Sequence, residues 1–361
     1  MTNPQPRDYA IVVGIDDYPR YGKNGRNLRG AVRDAKLFHA WLIDQETGGG
    51  LDPDHCRLIT SQGDPMALTQ MTVDLVLDEL WTMARDAGGG RRFYFFFSGH
   101  GQSVVGADAV TYDQSLCLPQ WSQTMPHAAL NADSYPNVVQ TCMPFQEIVM
   151  FLDCCRVPAI KVRAINSTVG CTTPLDGFDH VNKMVYFAAE PMRRAFEGQL
   201  DDAPEDAEPE VHGYFTTALL EGLQKGSGRA GGGVGAETLW DHLEYRVPQL
   251  ADGKSRRQIP RRSPTLFSDD VVFGAAGGDT KPISPAAGDQ TNFEIRFSDA
   301  RVGPVRLVDA DANPLRDGDT STGPWKVNLE PNAMYLLIDD GNDQQRAFVF
   351  LPAMEGKHDT F

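Results

Sequence analysis

Short apolar runs alternate with stretches of helical periodicity through the first 270 residues of the chain. Runs of this length predict buried strands, and apolar residues spaced three or four positions apart predict helices that cover them. Strands and helices that alternate in this way build a mainly parallel sheet with helices on both faces. The pattern therefore predicts a three-layer α/β/α domain, with strands at Tyr9–Gly14, His55–Thr60, Phe93–Phe97, Ile148–Leu152 and Met184–Ala189.

Four helices are predicted from the spacing of apolar positions. Asp64 and Pro65 predict the start of the second, because aspartate caps helices and proline is tolerated in the first turn. Three consecutive glycines at 88–90 predict its end. The strands Phe93–Phe97 and Ile148–Leu152 are apolar throughout, which is typical of central strands buried on both faces. The predicted helices span residues 29–43, 64–87, 213–223 and 236–245.

The pattern changes after residues 275–290, AAGGDTKPISPAAGDQ, which have the composition of a linker. The segments FEIRF, VRLVD, WKVNL, MYLLI and AFVFL then alternate apolar and polar positions between turn residues. This rhythm predicts a small all-β, sandwich-like domain. The expected organisation is an α/β domain at 1–274, a linker at 275–290 and the β domain at 291–361. The β domain contains no evident catalytic residues, so we expect a stabilising or docking role.

Composition and charge narrow the function. The 361 residues include 41% hydrophobic and 23% charged residues, which is typical of a globular protein. The net charge of −16 argues against nucleic acid and anionic membranes as partners. No run resembles a signal peptide or a membrane span. Six cysteines in a chain of this length do not suggest a disulfide scaffold, so we expect thiols in a reducing cytoplasm.

Candidate chemistry lies where the two central strands end. The first runs into Ser98-Gly99-His100-Gly101 and the second into Asp153-Cys154-Cys155-Arg156. Reactive groups gather at the carboxyl ends of parallel strands, so neighbouring strands would bring His100 near a cysteine. An imidazole raises the thiolate fraction of a nearby thiol, which is a modest nucleophile on its own. Two purely structural cysteines remain an alternative. A zinc site with His100 is a weaker one, because adjacent cysteines chelate poorly.

Together these segments resemble a known family. His100 precedes Cys155 by roughly the 50 residues typical of caspases. The segments YAIVVGIDDY, LRGAVRDA, FYFFFSGHG, VMFLDCCR, VYFAAEPMRRAFEG and GYFTTALLEGL follow in the order found in caspase-like cysteine peptidases. The stretch from about residue 8 to 270 resembles the metacaspase-type or bacterial caspase-like branch. The resemblance implies a caspase-hemoglobinase-like fold.

The resemblance also implies roles for individual residues. Cys155 matches the nucleophile, and His100 matches the general base and acid. The backbone amides of Gly101 and Cys155 would form the oxyanion hole, and Cys154 would be a buried neighbour. Arg156 follows the nucleophile pair, and two roles are considered for it: orienting the loop, or pairing with Glu197.

Specificity for a basic residue follows from the same resemblance. Asp34, Ser98 and Asp153 match the lining of the pocket for the residue before the cut bond, which in metacaspases accepts Arg or Lys. An exposed helix acid is the alternative reading of Asp34. The expected partners are protein substrates with Arg or Lys at that position and an activating or inhibitory protein.

Two regulatory features of the family, calcium binding and autoprocessing, depend in this chain on a few residues. Many metacaspases bind calcium, and Asp108 and Asp113 match part of that region, but the later acid pair is absent. Calcium needs several oxygen ligands, so no required cofactor or metal is predicted, with calcium as the alternative. Lys161 and Arg163 lie in the 157–180 loop that follows the nucleophile and suit autoprocessing.

The sequence thus predicts a cysteine endopeptidase with a Cys-His dyad. The resemblance further implies a regulated bacterial protease, of the kind that acts in stress or antiphage defence. A catalytically silent caspase-fold scaffold that binds proteins is the alternative. Another thiol hydrolase or acyltransferase on an α/β sheet is a third.

Overall fold

The computed structural model divides into two compact units, Met1–Thr280 and Lys281–Phe361. Each unit is described by itself. The residues described are 7–21, 27–105, 112–158, 164–175, 181–199, 210–225, 233–252, 254, 256–263, 271–274, 292–297, 303–309, 314–320, 324–327, 329, 334–339, 344–349 and 358–360.

The first unit contains strands and helices in alternation. Its strands are β1 (Asp8–Gly14), β2 (Cys56–Thr60), β3 (Gly90–Gly99), β4 (Gly101–Val105), β5 (Tyr112–Cys117), β6 (Ala129–Asn131), β7 (Phe145–Cys154), β8 (Val157–Pro158), β9 (Asn182–Phe187), β10 (Glu197–Gln199), β11 (Val211–Gly213), β12 (Val234–Gly235), β13 (Arg261–Ser263) and β14 (Val272–Phe273). Its helices are α1 (Ala31–Ile43), α2 (Gln70–Asp86), α3 (Ser134–Cys142), α4 (Tyr214–Lys225) and α5 (Ala236–Asp252), with short 3-10 helices at Pro53–His55 and Pro65–Ala67.

A central sheet with the strand order β13-β9-β7-β3-β1-β2 organises this unit. All neighbours in it are parallel except β13, which pairs antiparallel with β9. Side chains of a strand point alternately to its two faces. Phe95 therefore packs in the cluster formed with α2 and α3, while Phe96 packs in the cluster formed with α1, α4 and α5. The predicted three-layer α/β/α class is confirmed.

The central strands are longer than predicted, and one helix starts later. Pro65 begins only a 3-10 turn, capped by the Asp64 carboxylate, which accepts from the Met66 amide. The predicted start of the second helix is therefore wrong. The α-helix begins at Gln70, after Thr69, whose amide donates to the Thr72 hydroxyl at 3.1 Å. A local side-chain bond thus restarts the helix after the turn.

A second small sheet was not predicted. Its strands lie in the order β6-β5-β4-β8, and α3 follows β6. These strands are short, so their apolar alternation is too brief to distinguish from loop sequence. The sheet matters for function, because β4 follows His100 directly and β8 follows the double cysteine.

The cysteines are not all thiols. Cys142, at the end of α3, forms a disulfide with Cys171, which corrects the expectation of free thiols throughout. The fold brings their Cα atoms to 5.4 Å, a separation that sequence spacing does not reveal. The four remaining cysteines are free. None of the helices that the structure describes is both long and apolar enough to cross a membrane.

The second unit is all-β. Its strands are β15 (Phe293–Arg296), β16 (Pro304–Asp309), β17 (Pro314–Asp319), β18 (Trp325–Val327), β19 (Met334–Asp339), β20 (Gln344–Val349) and β21 (His358–Thr360). They form two sheets, β18-β15-β21 and β17-β16-β19-β20. Ile295 of the first sheet and Leu307 of the second share one core with Trp325, which gives a sandwich-like arrangement. The linker predicted at 275–290 lies outside the described residues.

Asp74 of α2 fastens the segment that follows the double cysteine. Its buried carboxylate accepts hydrogen bonds from the Ser167 hydroxyl at 2.9 Å and from the Thr168 amide at 2.8 Å. The Thr168 and Tyr135 hydroxyls add bonds of 2.7 and 2.9 Å. A buried carboxylate is tolerated when its oxygens are satisfied in this way. This part of the 157–180 loop is therefore held against α2.

We expect Asp74→Ala to lower the free energy of unfolding by about 3 kcal/mol, because several buried donors lose their acceptor. The measurement is chemical denaturation followed by circular dichroism. Asp78→Ala is the matched control, since Asp78 is an exposed acid on the same helix. Equal unfolding midpoints for the two variants would contradict an anchoring role for Asp74.

Candidate active site

The carboxyl ends of β3 and β7 meet at one edge of the central sheet. The two strands pair in parallel, with Ser98 opposite Asp153 and Gly99 opposite Cys154. His100 and Cys155 are the next residues of each strand, and both line one cavity of about 350 Å³. The sequence predicts His100 near a cysteine only if these two strands are neighbours, and they are. The cavity is therefore the candidate active site.

Cys155 is the accessible thiol of the pair. It is partly buried, and its Sγ donates to the Ala195 carbonyl oxygen at 3.4 Å. Burial raises the pKa of this thiol, and the Arg194 cation opposes the rise. At neutral pH the resting thiol is therefore protonated, so Cys155 needs a nearby base to become a nucleophile.

Cys154 has a different environment. It is fully buried, and its Sγ accepts a hydrogen bond from the Gln114 amide at 3.3 Å. Burial raises its pKa well above the ordinary value for a thiol. A thiol that stays protonated and has no access to solvent is chemically inert. Both cysteines line the cavity, but they differ in burial, because Cys154 is buried and Cys155 is only partly buried.

Two tyrosines contact His100, and neither contact was predicted, although Tyr18 lies in the segment YAIVVGIDDY. The His100 backbone amide donates to the Tyr18 hydroxyl at 2.8 Å, and that hydroxyl donates to the Cys117 carbonyl at 3.3 Å. The imidazole stacks on the Tyr21 ring, with centroids 4.5 Å apart and an interplanar angle of 20°. Stacking on one face restricts rotation of the ring. His100 is thereby oriented within the cavity.

Gly101 lets the segments that carry His100 and Cys155 pack directly against each other. A Cβ atom at this position would lie 2.6 Å from Cys154 Sγ and 2.6 Å from the Cys155 carbonyl oxygen. No side chain fits at such distances without moving backbone. The amide groups proposed for the oxyanion hole, those of Gly101 and Cys155, therefore belong to segments in close contact.

Two buried carboxylates, those of Asp34 and Asp153, line the same cavity, together with Ser98. Asp153 Oδ2 accepts from the Thr216 amide at 3.0 Å and from the Thr216 hydroxyl at 2.7 Å, near the start of α4. Asp34 Oδ2 accepts from the Gly213 amide at 2.8 Å. Asp34 is 1% exposed, so it is not the solvent-facing helix acid of the alternative interpretation.

Burial strongly perturbs both acids. It raises the pKa of Asp34 to about 6 and, with the neighbouring Asp34 charge, raises the pKa of Asp153 to about 7. Both shifts have the same physical cause, the cost of placing a charge in a site poor in water. A cationic ligand would offset that cost, because its charge favours the ionised form of each acid.

Glu197 is a third acid of the cavity, and its contacts differ from the pairing with Arg156 considered for it. Its carboxylate accepts from the amides of Arg29 and Gly30, at the start of α1, with a shortest distance of 2.9 Å to Gly30. The considered pairing with Arg156 is therefore wrong. Arg156 instead donates to Gln114 Oε1 at 3.2 Å and lies 4.1 Å above the Phe187 ring.

The remaining candidates are not among the described residues that line this cavity. Asp108, Lys161 and Arg163 lie outside the described residues. Asp113 is an exposed residue of β5, with Asp133 as an acidic neighbour. Within the part of the chain that the structure describes, no three His, Cys, Asp or Glu side chains form a group that could hold a metal ion.

Comparisons with known proteins give the family of the chain. The family model described as "Caspase domain" matches residues 7–271. A curated relative, named as a probable protease of a Desulfuromonadales bacterium, is 26% identical over 289 residues. That match covers 75% of this chain and 33% of the relative, so the chain spans about a third of the relative's length.

Two solved structures show similarity over the same region. A protein of Geobacter sulfurreducens aligns with a TM-score of 0.45 and 18% identity, covering 71% of this chain and 92% of that protein. Pro-sf-caspase-1 aligns with a TM-score of 0.43 and 13% identity, covering 73% of this chain and 90% of that one.

We expect Asp153→Asn to raise the melting temperature at pH 8 by several degrees. The pKa of this acid, about 7 when folded, lies above its usual value. Folding therefore favours the protonated carboxyl of Asp153. The contribution of this group to the free energy of unfolding is complete below the pKa of the unfolded chain and is lost as the pH rises through 7. In calorimetric scans, the difference in melting temperature between the variant and wild type should become smaller as the pH falls from 8 to 4.

Asp78→Asn, on an exposed position, is the control and should melt like wild type at each pH. A constant or absent difference between Asp153→Asn and wild type would mean that Asp153 is not held as a strained acid.

Proposed function

The chain belongs to the caspase domain family, and we propose that it is a cysteine endopeptidase that cleaves protein chains after arginine or lysine. The observation that supports this proposal is the composition of a single cavity. The thiol of Cys155 and the imidazole of His100 line one part, and the carboxylates of Asp34 and Asp153 line another. A nucleophile next to a base performs acyl transfer, and a pair of buried acids binds a cation.

In the proposed reaction, His100 removes the proton from Cys155 Sγ as the sulfur attacks the carbonyl carbon of the substrate. The amides of Gly101 and Cys155 donate to the oxygen that becomes negative. The carbon–nitrogen bond then breaks, and His100 returns the proton to the leaving amine. This leaves an acyl group on Cys155. Water, deprotonated by His100, attacks the acyl carbon, and the carbon–sulfur bond breaks to restore the thiol.

Arginine or lysine specificity rests on charge. An unpaired carboxylate in a buried pocket is costly, and a substrate acid would add a third like charge beside Asp34 and Asp153. A guanidinium or ammonium group instead donates hydrogen bonds to ionised carboxylates and neutralises them. Ser98, at the same wall, adds a hydroxyl. The pocket therefore favours basic side chains and disfavours aspartate.

A regulated role in a bacterial cytoplasm, including stress or antiphage defence, completes the proposal. The low number of cysteines supports the cytoplasm, whereas the disulfide Cys142–Cys171 is the observation that favours an oxidising compartment. The net charge of −16 favours basic protein partners over nucleic acid. A silent scaffold is the alternative, and the presence of both His100 and Cys155 counts against it.

We expect the protein to cleave an arginyl reporter peptide and to leave the matching aspartyl peptide intact. Cys155→Ala and His100→Ala should each lower the rate by at least about a thousandfold, because either change removes the dyad. Cys154→Ala is the matched control and should retain most of the activity, since this thiol is buried. Cleavage of the aspartyl reporter without the arginyl one would overturn the specificity, and rates unaffected by Cys155→Ala would overturn the mechanism.

We also propose that the protein processes itself at Lys161 or Arg163. Both residues lie between Cys142 and Cys171 in the sequence, so the disulfide joins the two products of such a cut. Incubated wild type should run as one band on a non-reducing gel and as two fragments after reduction. Cys155→Ala and the double variant Lys161→Ala/Arg163→Ala should stay intact on both gels. An intact wild-type band after reduction would refute autoprocessing.

A further inference from the structure

His212 contacts the acidic side of the cavity, and the reaction described above does not use it. It belongs to β11, directly before Gly213, which lines the cavity. Its Nδ1 lies 3.0 Å from Asp34 Oδ1, and both side chains are buried. A buried histidine on a candidate specificity acid is more than a packing residue, because its charge acts on that acid at hydrogen-bond distance.

The two acids meet around Gly213. A Cβ atom placed on this glycine would lie 2.1 Å from Asp153 Oδ2 and 3.0 Å from Asp34 Oδ2. The carboxylates therefore approach the same point from two sides. Like charges this close disfavour each other's ionisation, and the effect is strong where water is scarce. A positive group beside one of them relieves this repulsion.

The two acids differ in what holds them. Asp153 accepts from the amide and hydroxyl of Thr216, which are neutral donors. Asp34 accepts from the Gly213 amide and is bonded to His212, a group that can carry a full positive charge. The Thr216 bonds also favour an ionised Asp153, but only Asp34 is bonded to a group that can bring a full positive charge to the pair.

We propose that His212 is a positioning residue of the specificity pocket, which holds Asp34 in its ionised form and orients it toward the basic side chain of the substrate. The proposal rests on the proposed function, because it concerns the same pocket. Without His212, the empty pocket would retain a proton between its two acids to a higher pH. A basic side chain would then have to displace that proton before it could bind.

The charges around His212 favour its protonated form. On α1 it faces Asp34 and the Arg33 cation, and on the segment before β11 it faces Glu210, whose Oε2 lies 3.5 Å from Nε2. Arg33 in turn pairs with Glu210 at 3.5 Å. The negative charge of Glu197, on β10, raises the pKa of Asp34. The Asp34 hydrogen bond raises the pKa of His212 above its usual value, so two acids outweigh one cation.

The test compares wild type with His212→Asn, which keeps a donor near Nδ1 but has no charge, and with His212→Ala. For an arginyl reporter, kcat/KM rises with pH as the pocket acids ionise. We expect this rise to move to higher pH by about one unit in both variants, because Asp34 loses its cation. At pH 6.5 we expect KM to increase about tenfold in His212→Ala, with kcat changed much less.

Two controls separate the pocket from the dyad and from folding. His39→Asn, a histidine substitution on α1 without an acidic partner among the described residues, should leave the pH profile unchanged. Alkylation of Cys155 by iodoacetamide reports the dyad alone, so its pH dependence should be the same in wild type and His212→Asn. The Asn variant also remains informative if His212→Ala fails to fold.

Unchanged KM and an unchanged pH profile in His212→Asn, with an active wild type, would overturn the role of His212 and leave the peptidase proposal standing. A wild type that cleaves no arginyl reporter, or a profile shift matched by the alkylation profile, would instead place the fault in the proposed specificity or in the dyad. Each result thus identifies which of the two proposals has failed.

Discussion

Backbone hydrogen bonds between β3 and β7 place Ser98 opposite Asp153 and Gly99 opposite Cys154. A slip of one residue in this register would send every side chain of the slipped strand to the other face of the sheet. The aromatic residues of β3 and the aliphatic residues of β7 would then leave their helices, so both helical layers stabilise the register. The side-by-side placement of His100 and Cys155 is therefore a consequence of the core.

The acidic wall of the cavity shows how the fold accommodates buried charge. The carboxylate of Asp153 accepts from the Thr216 amide in the first turn of α4. The carboxylate of Glu197 accepts from two backbone amides at the start of α1. Unpaired amides at a helix start stabilise nearby anions without a cation. Burial nevertheless raises the pKa values of Asp34 and Asp153 to about 6 and 7. The pocket is therefore strained when empty and suited to a cation, a pattern common where binding rather than stability shapes a site.

Much of the α/β unit could be predicted, because runs of apolar residues are stable only when they are buried in the core. The five central strands and the three-layer class follow from periodicity alone. The errors occur where short-range chemistry decides: the start of α2 after a 3-10 turn at Pro65, and the short strands β4 to β6. The Cys142–Cys171 bond was missed because it depends on where α3 ends in space, not on spacing in the chain.

The sequence by itself determined the fold class and the candidate residues, since His100 and Cys155 end apolar runs and polar groups do not belong in a core. Only the tertiary structure decided their environments. It buries Cys154 and opens Cys155 to the cavity, stacks Tyr21 on His100 and bonds His212 to Asp34. The physical reason is range. Periodicity is set by neighbours along the chain, whereas burial and pKa depend on groups that meet only after folding.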